Sequence, residues 1–181
     1  MTLFSIFIVA LVIVILMTII AAAILFILLY FKVPFVRTPH EVIKKVLTEI
    51  KITEDMIVYD LGCGNARFLL EVEKQTGAKT IGFEISPWAY ILARLNILLH
   101  RSKTKVLYKN FYHQDVSDAD VVFCYLLDTV MPKVGTQLEA QLKPGAIVIS
   151  FAFPIKAWEP TKIITPFTDT KKRSKLYIYQ Q

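Results

Sequence analysis

Two carboxylates and a pair of glycines carry the most specific chemistry in this chain. The apolar run Met56-Ile57-Val58-Tyr59 ends in Asp60, and Leu61-Gly62-Cys63-Gly64 follows directly. A second apolar run, Thr80-Ile81-Gly82-Phe83, is closed by Glu84, twenty residues after Gly64. An acid at the end of the strand that follows a glycine turn can accept hydrogen bonds from both ribose hydroxyls of an adenosine-containing cofactor. Gly62 and Gly64 let the backbone come close to the same ligand. Asp60 separates the candidate cofactors. A pyrophosphate binds backbone amides at a helix N-terminus, and a carboxylate at that point repels it. S-adenosylmethionine has no phosphate, and its ammonium and sulfonium groups are drawn to a carboxylate. Arg67 also occupies the place of the third glycine of a dinucleotide fingerprint. The expected cofactor is therefore S-adenosylmethionine, held by Asp60, Gly62, Cys63, Gly64 and Glu84.

Such a site needs strand ends to hold it. The run from Met56 to Leu61, bounded by the glycine turn, predicts a buried strand. A helix follows over 66–75, ended by Gly77. A second strand over 79–85 leads to Ser86-Pro87, which caps a helix running to about His100. Further strands are expected over 105–109, 120–126 and 146–153, with a helix from near Pro132 to Lys143-Pro144-Gly145. Strands alternating with helices give a Rossmann-like α/β fold, a parallel sheet covered on both faces. Ahead of it, Thr38-Pro39-His40-Glu41 reads as a capping box with Pro at the first helical position, and Val42, Ile43, Val46, Leu47 and Ile50 repeat at helical spacing. After it, 162–165 and 175–179 alternate apolar and polar residues and predict a C-terminal antiparallel hairpin. Only about eight residues separate that hairpin from the fifth strand, too few for a crossover helix or an inserted substrate subdomain. The resulting open pocket suits a macromolecular substrate. Ligands bind outside the C-terminal strand ends of such sheets, which adds Asn110 and Phe111 to the rim. The Asn110 amide can pair with the adenine amino group. Phe111 can cover the ring face or serve as a core aromatic, and both readings stay open.

Leu3 to Phe31 contains no charged residue. About 20 apolar residues suffice to cross the ~30 Å hydrocarbon layer, so this run predicts a transmembrane helix. A cleavable signal peptide would need a basic leader and a small-residue cleavage site beyond a short apolar core. No basic residue precedes Lys32, and Ala21-Ala22-Ala23 lies inside the run. The chain thus divides into a membrane anchor over 1–32 and one domain over 33–181. Lys32, Arg37, Lys44 and Lys45 follow the span, which places the C-terminal domain in the cytoplasm. All 21 basic and 15 acidic residues lie after the uncharged run that ends at Phe31, so the net charge of +6 belongs to the part that follows it and favours anionic headgroups. No stripe of Arg and Lys interleaved with aromatics points to nucleic acid. Lys171-Lys172-Arg173 reads as a solvated hairpin turn. Cys63 and Cys124 fit a reduced compartment as small buried residues, no Cys/His spacing suggests a metal, and His40, His100 and His113 read as structural or surface residues.

From Val33 to Pro160 the sequence resembles the seven-strand (class I) methyltransferases. It is most similar to the small protein-lysine methyltransferases that include the archaeal broad-specificity enzymes and the mitochondrial ATP-synthase c-subunit enzyme. The resemblance rests on Tyr59-Asp60-Leu61-Gly62-Cys63-Gly64, Gly82-Phe83-Glu84-Ile85, Thr38-Pro39, Tyr125-Leu126-Leu127, Leu142-Lys143-Pro144-Gly145 and Trp158-Glu159-Pro160. It implies that Thr38-Pro39 folds over the cofactor pocket and that Tyr125, at the fourth strand end, stands nearest the methyl acceptor. An aromatic there can line a channel, attract a lysine cation and exclude water; the alternative is a packed strand-end tyrosine. Methyl transfer needs alignment and desolvation more than a strong base. The chain departs from the family where Asn65-Ala66 replaces Asp-Gly, where Phe151-Ala152-Phe153 replaces His-Asp-Phe, and where Asp128 stands in place of Pro.

The expected activity is a membrane-anchored S-adenosylmethionine-dependent methyltransferase with a protein lysine as acceptor. Two alternatives are a methyltransferase acting on a lipid-like or quinone-like acceptor from the bilayer, and a non-catalytic membrane scaffold with a decayed pocket. Retention of Asp60, Gly62, Gly64 and Glu84 together argues against decay.

Overall fold

The computed structural model describes residues 3–30, 36–169 and 173–181, which fall into two compact units, Met1–Pro34 and Phe35–Gln181. The described residues of the first form one uninterrupted helix, α1 (Leu3–Tyr30). From Ile6 to Ile24 it is exposed right round, with a mean hydropathy of 3.2 over Ser5–Ile24. By length and composition it can cross a membrane.

The second unit is built on a seven-stranded sheet. Its strands are β1 (Ile57–Leu61), β2 (Lys79–Glu84), β3 (Lys105–Tyr108), β4 (Val121–Cys124), β5 (Ile147–Phe151), β6 (Lys162–Ile164) and β7 (Leu176–Gln180), in the order β3-β2-β1-β4-β5-β7-β6. The pairs from β3 through β5 are parallel, and β7 runs antiparallel to both β5 and β6. The chain reverses at the β1/β4 boundary, and a ligand crevice opens there in sheets of this kind. The helices are α2 (His40–Glu49), α3 (Arg67–Thr76), α4 (Pro87–Leu99) and α5 (Met131–Gln141).

Alternation along the strands sorts the core into two layers. Val58, Val121, Phe123, Ile149 and Phe151 form one with Val42, Ile43, Val46, Phe68, Leu69, Val72 and Ala93 of α2, α3 and α4. Phe68 stacks on Phe123 with ring centres 4.0 Å apart. Tyr59, Leu61, Val122, Cys124, Val148 and Tyr179 form the other with Met131, Val134 and Leu138 of α5. The end of the sheet away from the crevice is stapled by Asp120, which accepts the Ile57 N–H (2.7 Å) and pairs with Lys143 (2.6 Å). The Leu-Lys-Pro-Gly segment therefore serves the fold. The Trp-Glu-Pro segment does too. Trp158 meets Tyr179 edge-on at 5.6 Å, and the Tyr179 hydroxyl accepts the Ile155 N–H at 2.9 Å.

Several boundaries differ from the sequence expectation. The capping box does not form: Pro39 is itself the N-cap of α2, in an extended conformation and without a side-chain cap bond, and the helix starts at His40. This leaves Thr38 outside the helix. β4 stops at Cys124, so Tyr125 and Leu126 leave the ladder. Residues 152–161 connect β5 to β6 through turns with no helix. Lys32 after the apolar run, the domain's first residues Val33, Pro34 and Phe35, and Lys171 and Lys172 of the basic turn lie outside the described residues.

Candidate functional site

The loop after β1 is clamped to β2. The Gly62 and Cys63 N–H groups both donate to the Phe83 carbonyl, at 3.0 and 2.9 Å. Gly82 permits this approach, because a Cβ there would sit 2.6 Å from the Cys63 sulfur. Gly62 is held twice over. Its φ of +107° is closed to ordinary side chains, and a Cβ would meet Leu126 Cδ2 at 2.8 Å. The Tyr-Leu-Leu segment after β4 is thereby pressed against the glycine turn. Glu84, 8% exposed, completes the arrangement. One carboxylate oxygen accepts the Gly64 N–H (2.8 Å) and the other the Ser86 N–H (2.7 Å). Each oxygen keeps a further lone pair for a ligand donor.

Asp60 is different. It is 3% exposed, and among the described residues none donates a hydrogen bond to its carboxylate. Burial first, and the Glu84 charge second, push its carboxyl well above the usual range. An approaching cation would restore the ionised form. The Cys63 thiol is also pushed up, by burial and then by Asp60 and Glu84, so it is no nucleophile.

Val36, Arg37, Thr38, Asp60, Gly62, Cys63, Gly64, Asn65, Arg67 and Tyr125 line one cleft of about 20 Å³. The structure thus gathers Thr38, Asp60, the glycine turn and Tyr125 around one space, with Glu84 joined through Gly64. Asn110 and Phe111 do not line it. Asn110 Oδ1 accepts the Tyr112 N–H (3.0 Å) and caps a short 3-10 turn over Phe111–His113, while Phe111 lies 4.3 Å from the Tyr112 ring against the α5 layer. Four lining residues escaped the sequence reading as site residues: Val36, Arg37, Asn65 and Arg67. Arg67 registered only as a broken dinucleotide fingerprint, whereas Val36 and Arg37 belong to the segment ending in Thr38-Pro39 that the family resemblance places over the pocket, without being named as site residues themselves.

Tyr125 is half-buried, its ring 4.6 Å from that of Phe151, which in turn lies 6.2 Å from Phe167. No described residue hydrogen-bonds the Tyr125 hydroxyl, and burial raises its pKa, so the phenol stays neutral. Two residues on this rim hold left-handed backbone without being glycine: Ala66 (φ +63°) at the start of α3 and Ala152 (φ +75°) after β5.

A parallel sheet of this order with a reversed β7, an acid before a glycine turn and an acid on the next strand together define a class I methyltransferase. The family of the ANTKMT methyltransferase domain matches residues 60–162, and the chain belongs to it. A protein-lysine N-methyltransferase of Saccharolobus islandicus is 35% identical over 150 residues, 81% of this chain and 92% of the relative. The adenine nucleotide translocase lysine N-methyltransferase of Mus musculus is 29% identical over 76% of this chain, a match spanning 61% of the mouse protein. Among solved structures, an RNA methyltransferase from Salinibacter ruber in complex with S-adenosyl-L-homocysteine superposes with a TM-score of 0.74 and 29% identity. It covers 80% of this chain and 93% of that one. The enzyme is S-adenosylmethionine-dependent.

Proposed function

We propose that this chain is a membrane-anchored protein-lysine N-methyltransferase. The observation that carries the reading is the juxtaposition, in one narrow cleft, of the buried Asp60 carboxylate, the glycine turn and the neutral aromatic face of Tyr125. The lysine-modifying activities of the archaeal and mouse relatives support it.

S-adenosylmethionine supplies an electrophilic methyl group on a sulfonium. The residues present fit this group. Asp60 is a buried acid short of a cationic partner and would hold the ammonium. Gly62, Cys63 and Gly64 bring the backbone alongside, and Glu84 has spare acceptor capacity for two ribose hydroxyls. Thr38 would close over the cofactor. Since ligand sites of this kind occupy roughly 300 Å³ or more, binding must displace the Val36-Arg37-Thr38 strap from the 20 Å³ cleft. Asn110 and Phe111 would border the adenine, with the Asn110 Nδ2 group the one left free for it.

On the acceptor side, Tyr125 attracts the lysine ammonium over its ring and the Phe151 ring behind it excludes water. Desolvation there favours the neutral amine that must attack, and alignment supplies much of the rate. The segment over residues 1–32 that contains α1 is read as a single-span anchor, with Arg37, Lys44 and Lys45 after it placing the domain over 33–181 in the cytoplasm.

The test is to incubate the full chain with methyl-labelled S-adenosylmethionine and a membrane extract containing its RNA, then to separate protein, lipid and nucleic acid. Label on lysine side chains in the protein fraction is expected. Label confined to extractable lipid or to RNA would replace the acceptor, and cofactor binding without transfer would indicate a scaffold.

A further inference from the structure

α4 is built inside out. Its buried face is small, with Ala89 and Ala93 against the core, whereas Trp88, Ile91, Leu95, Leu98 and Leu99 point outwards. Their exposures are 56, 49, 49, 73 and 77%. At 100° per residue these five fall on one stripe, covering about 100° of the helix surface. Ile85 just before the helix (63% exposed) and Tyr108 of the edge strand β3 (53%) extend the apolar surface, and the Tyr108 ring lies 5.5 Å from Tyr90 of α4. An apolar stripe of this length facing outwards marks an interaction surface.

The charge around it identifies the partner. No Asp or Glu occurs from Ile85 to Gln114, while Arg94, Arg101, Lys103, Lys105 and Lys109 do, and all five are exposed. None forms an ion pair with a described residue. A protein partner or a second copy of this chain would have to bring its own acids to these cations. An interfacial helix at an anionic bilayer combines both features, burying its apolar face among acyl chains while Lys and Arg meet the headgroups. The same chain carries a helix long and apolar enough to cross a membrane.

We propose that the exposed face of α4, with Tyr108, lies in the headgroup–acyl boundary of an anionic bilayer as a second membrane contact, separate from α1. α4 begins three residues after Glu84. Docked this way, the cofactor rim stands at the membrane surface, and the enzyme selects acceptors that protrude only a little from the bilayer. The contact rests on the surface of α4 and does not depend on which group is methylated.

The experiment places an environment-sensitive fluorophore on Ile91→Cys, on Leu98→Cys and, as a control on the opposite face, on Glu139→Cys, each in the full chain. Cys63 and Cys124 are buried and will not compete for label. The labelled chains are reconstituted in phosphatidylcholine vesicles with and without phosphatidylglycerol, and retained cofactor binding certifies the fold. Several-fold weaker quenching by aqueous iodide and stronger quenching by brominated lipid are expected at 91 and 98 with phosphatidylglycerol. The effect should fade in high salt and be absent at 139. Equal iodide access at all three sites would overturn the proposal. So would iodide shielding at 91 and 98 without lipid quenching. If that shielding strengthens with protein-to-lipid ratio, it assigns the face to a second copy; if it appears only when membrane proteins are added, to a protein partner.

Discussion

The two ends of the ligand rim are made of different materials. Around Asp60 and Glu84 it is buried charge and backbone hydrogen bonding: two amides on Phe83 O, two on the Glu84 carboxylate, and an acid that accepts no hydrogen bond from a described residue. Around Tyr125 and Phe151 it is ring against ring, with a phenol hydroxyl that bonds no described residue. Directional bonds fix one ligand in one pose, whereas an aromatic wall selects by shape and by affinity for a cation. On the proposed reading the first end would hold a single cofactor and the second would meet the acceptor; the proteins this chain resembles include a lysine N-methyltransferase and an RNA methyltransferase.

This contrast can be broken by substitution. The largest effect is expected at Asp60. Asp60→Asn keeps the shape and removes the charge, and should weaken S-adenosylmethionine binding by about 2–3 kcal/mol. It should also raise stability at neutral pH. An acid whose folded pKa lies above its unfolded value costs stability as pH rises from the unfolded pKa to the folded one, and the Asn variant escapes that cost. By the same linkage, wild-type affinity for the cationic cofactor should fall as pH is lowered through the raised pKa of free Asp60. The Asn variant should lack that component. Calorimetric titration across pH with parallel thermal melts measures both, and a less stable Asp60→Asn variant together with a wild-type affinity that does not change with pH would contradict the assignment.

Glu84→Ala comes next, at about 1–3 kcal/mol of cofactor binding, since ribose would lose a charged acceptor. Unlike Asp60→Asn it should also lower stability, because the Gly64 and Ser86 amides lose their partner. Calorimetry and chemical denaturation check the two, and unchanged affinity would remove Glu84 from the site. The smallest effect is expected at Ala152. Ala152→Gly should stabilise by about 0.5–1 kcal/mol, by relieving a left-handed alanine, with cofactor affinity unchanged. Destabilisation in urea would show that the turn is not strained.

Much of this was legible in the chain because its signals are local. The apolar runs ending at Asp60 and Glu84 set the strand ends proposed to hold the cofactor, and Ser86-Pro87 and Gly77 bounded two helices where the structure has them. What escaped depended on contacts distant in sequence. Arg37 and Val36 reach the cleft only because the segment before α2 crosses the strand ends. Pro39 took the cap position itself and undid the expected capping box. The Asn110 side chain proved to be shared with a turn over its own next residues, a competition that sequence spacing does not reveal. The two departures from the family at 66 and 152 gained meaning only with coordinates. Both hold a left-handed backbone, a conformation that Gly, and to a lesser degree Asp, adopts with less strain than Ala.

Tyr125 offers the most direct test that the rim divides cofactor binding from acceptor handling. Single-turnover methyl transfer and cofactor affinity should be measured together for Tyr125→Ala and Tyr125→Phe. The account predicts a loss of rate on the order of 100-fold for Tyr125→Ala with affinity near wild type, and substantial recovery in Tyr125→Phe, which keeps the ring face. Equal losses of cofactor affinity and thermal stability in Tyr125→Ala, with no separate loss of rate, would show a packing residue and contradict the division.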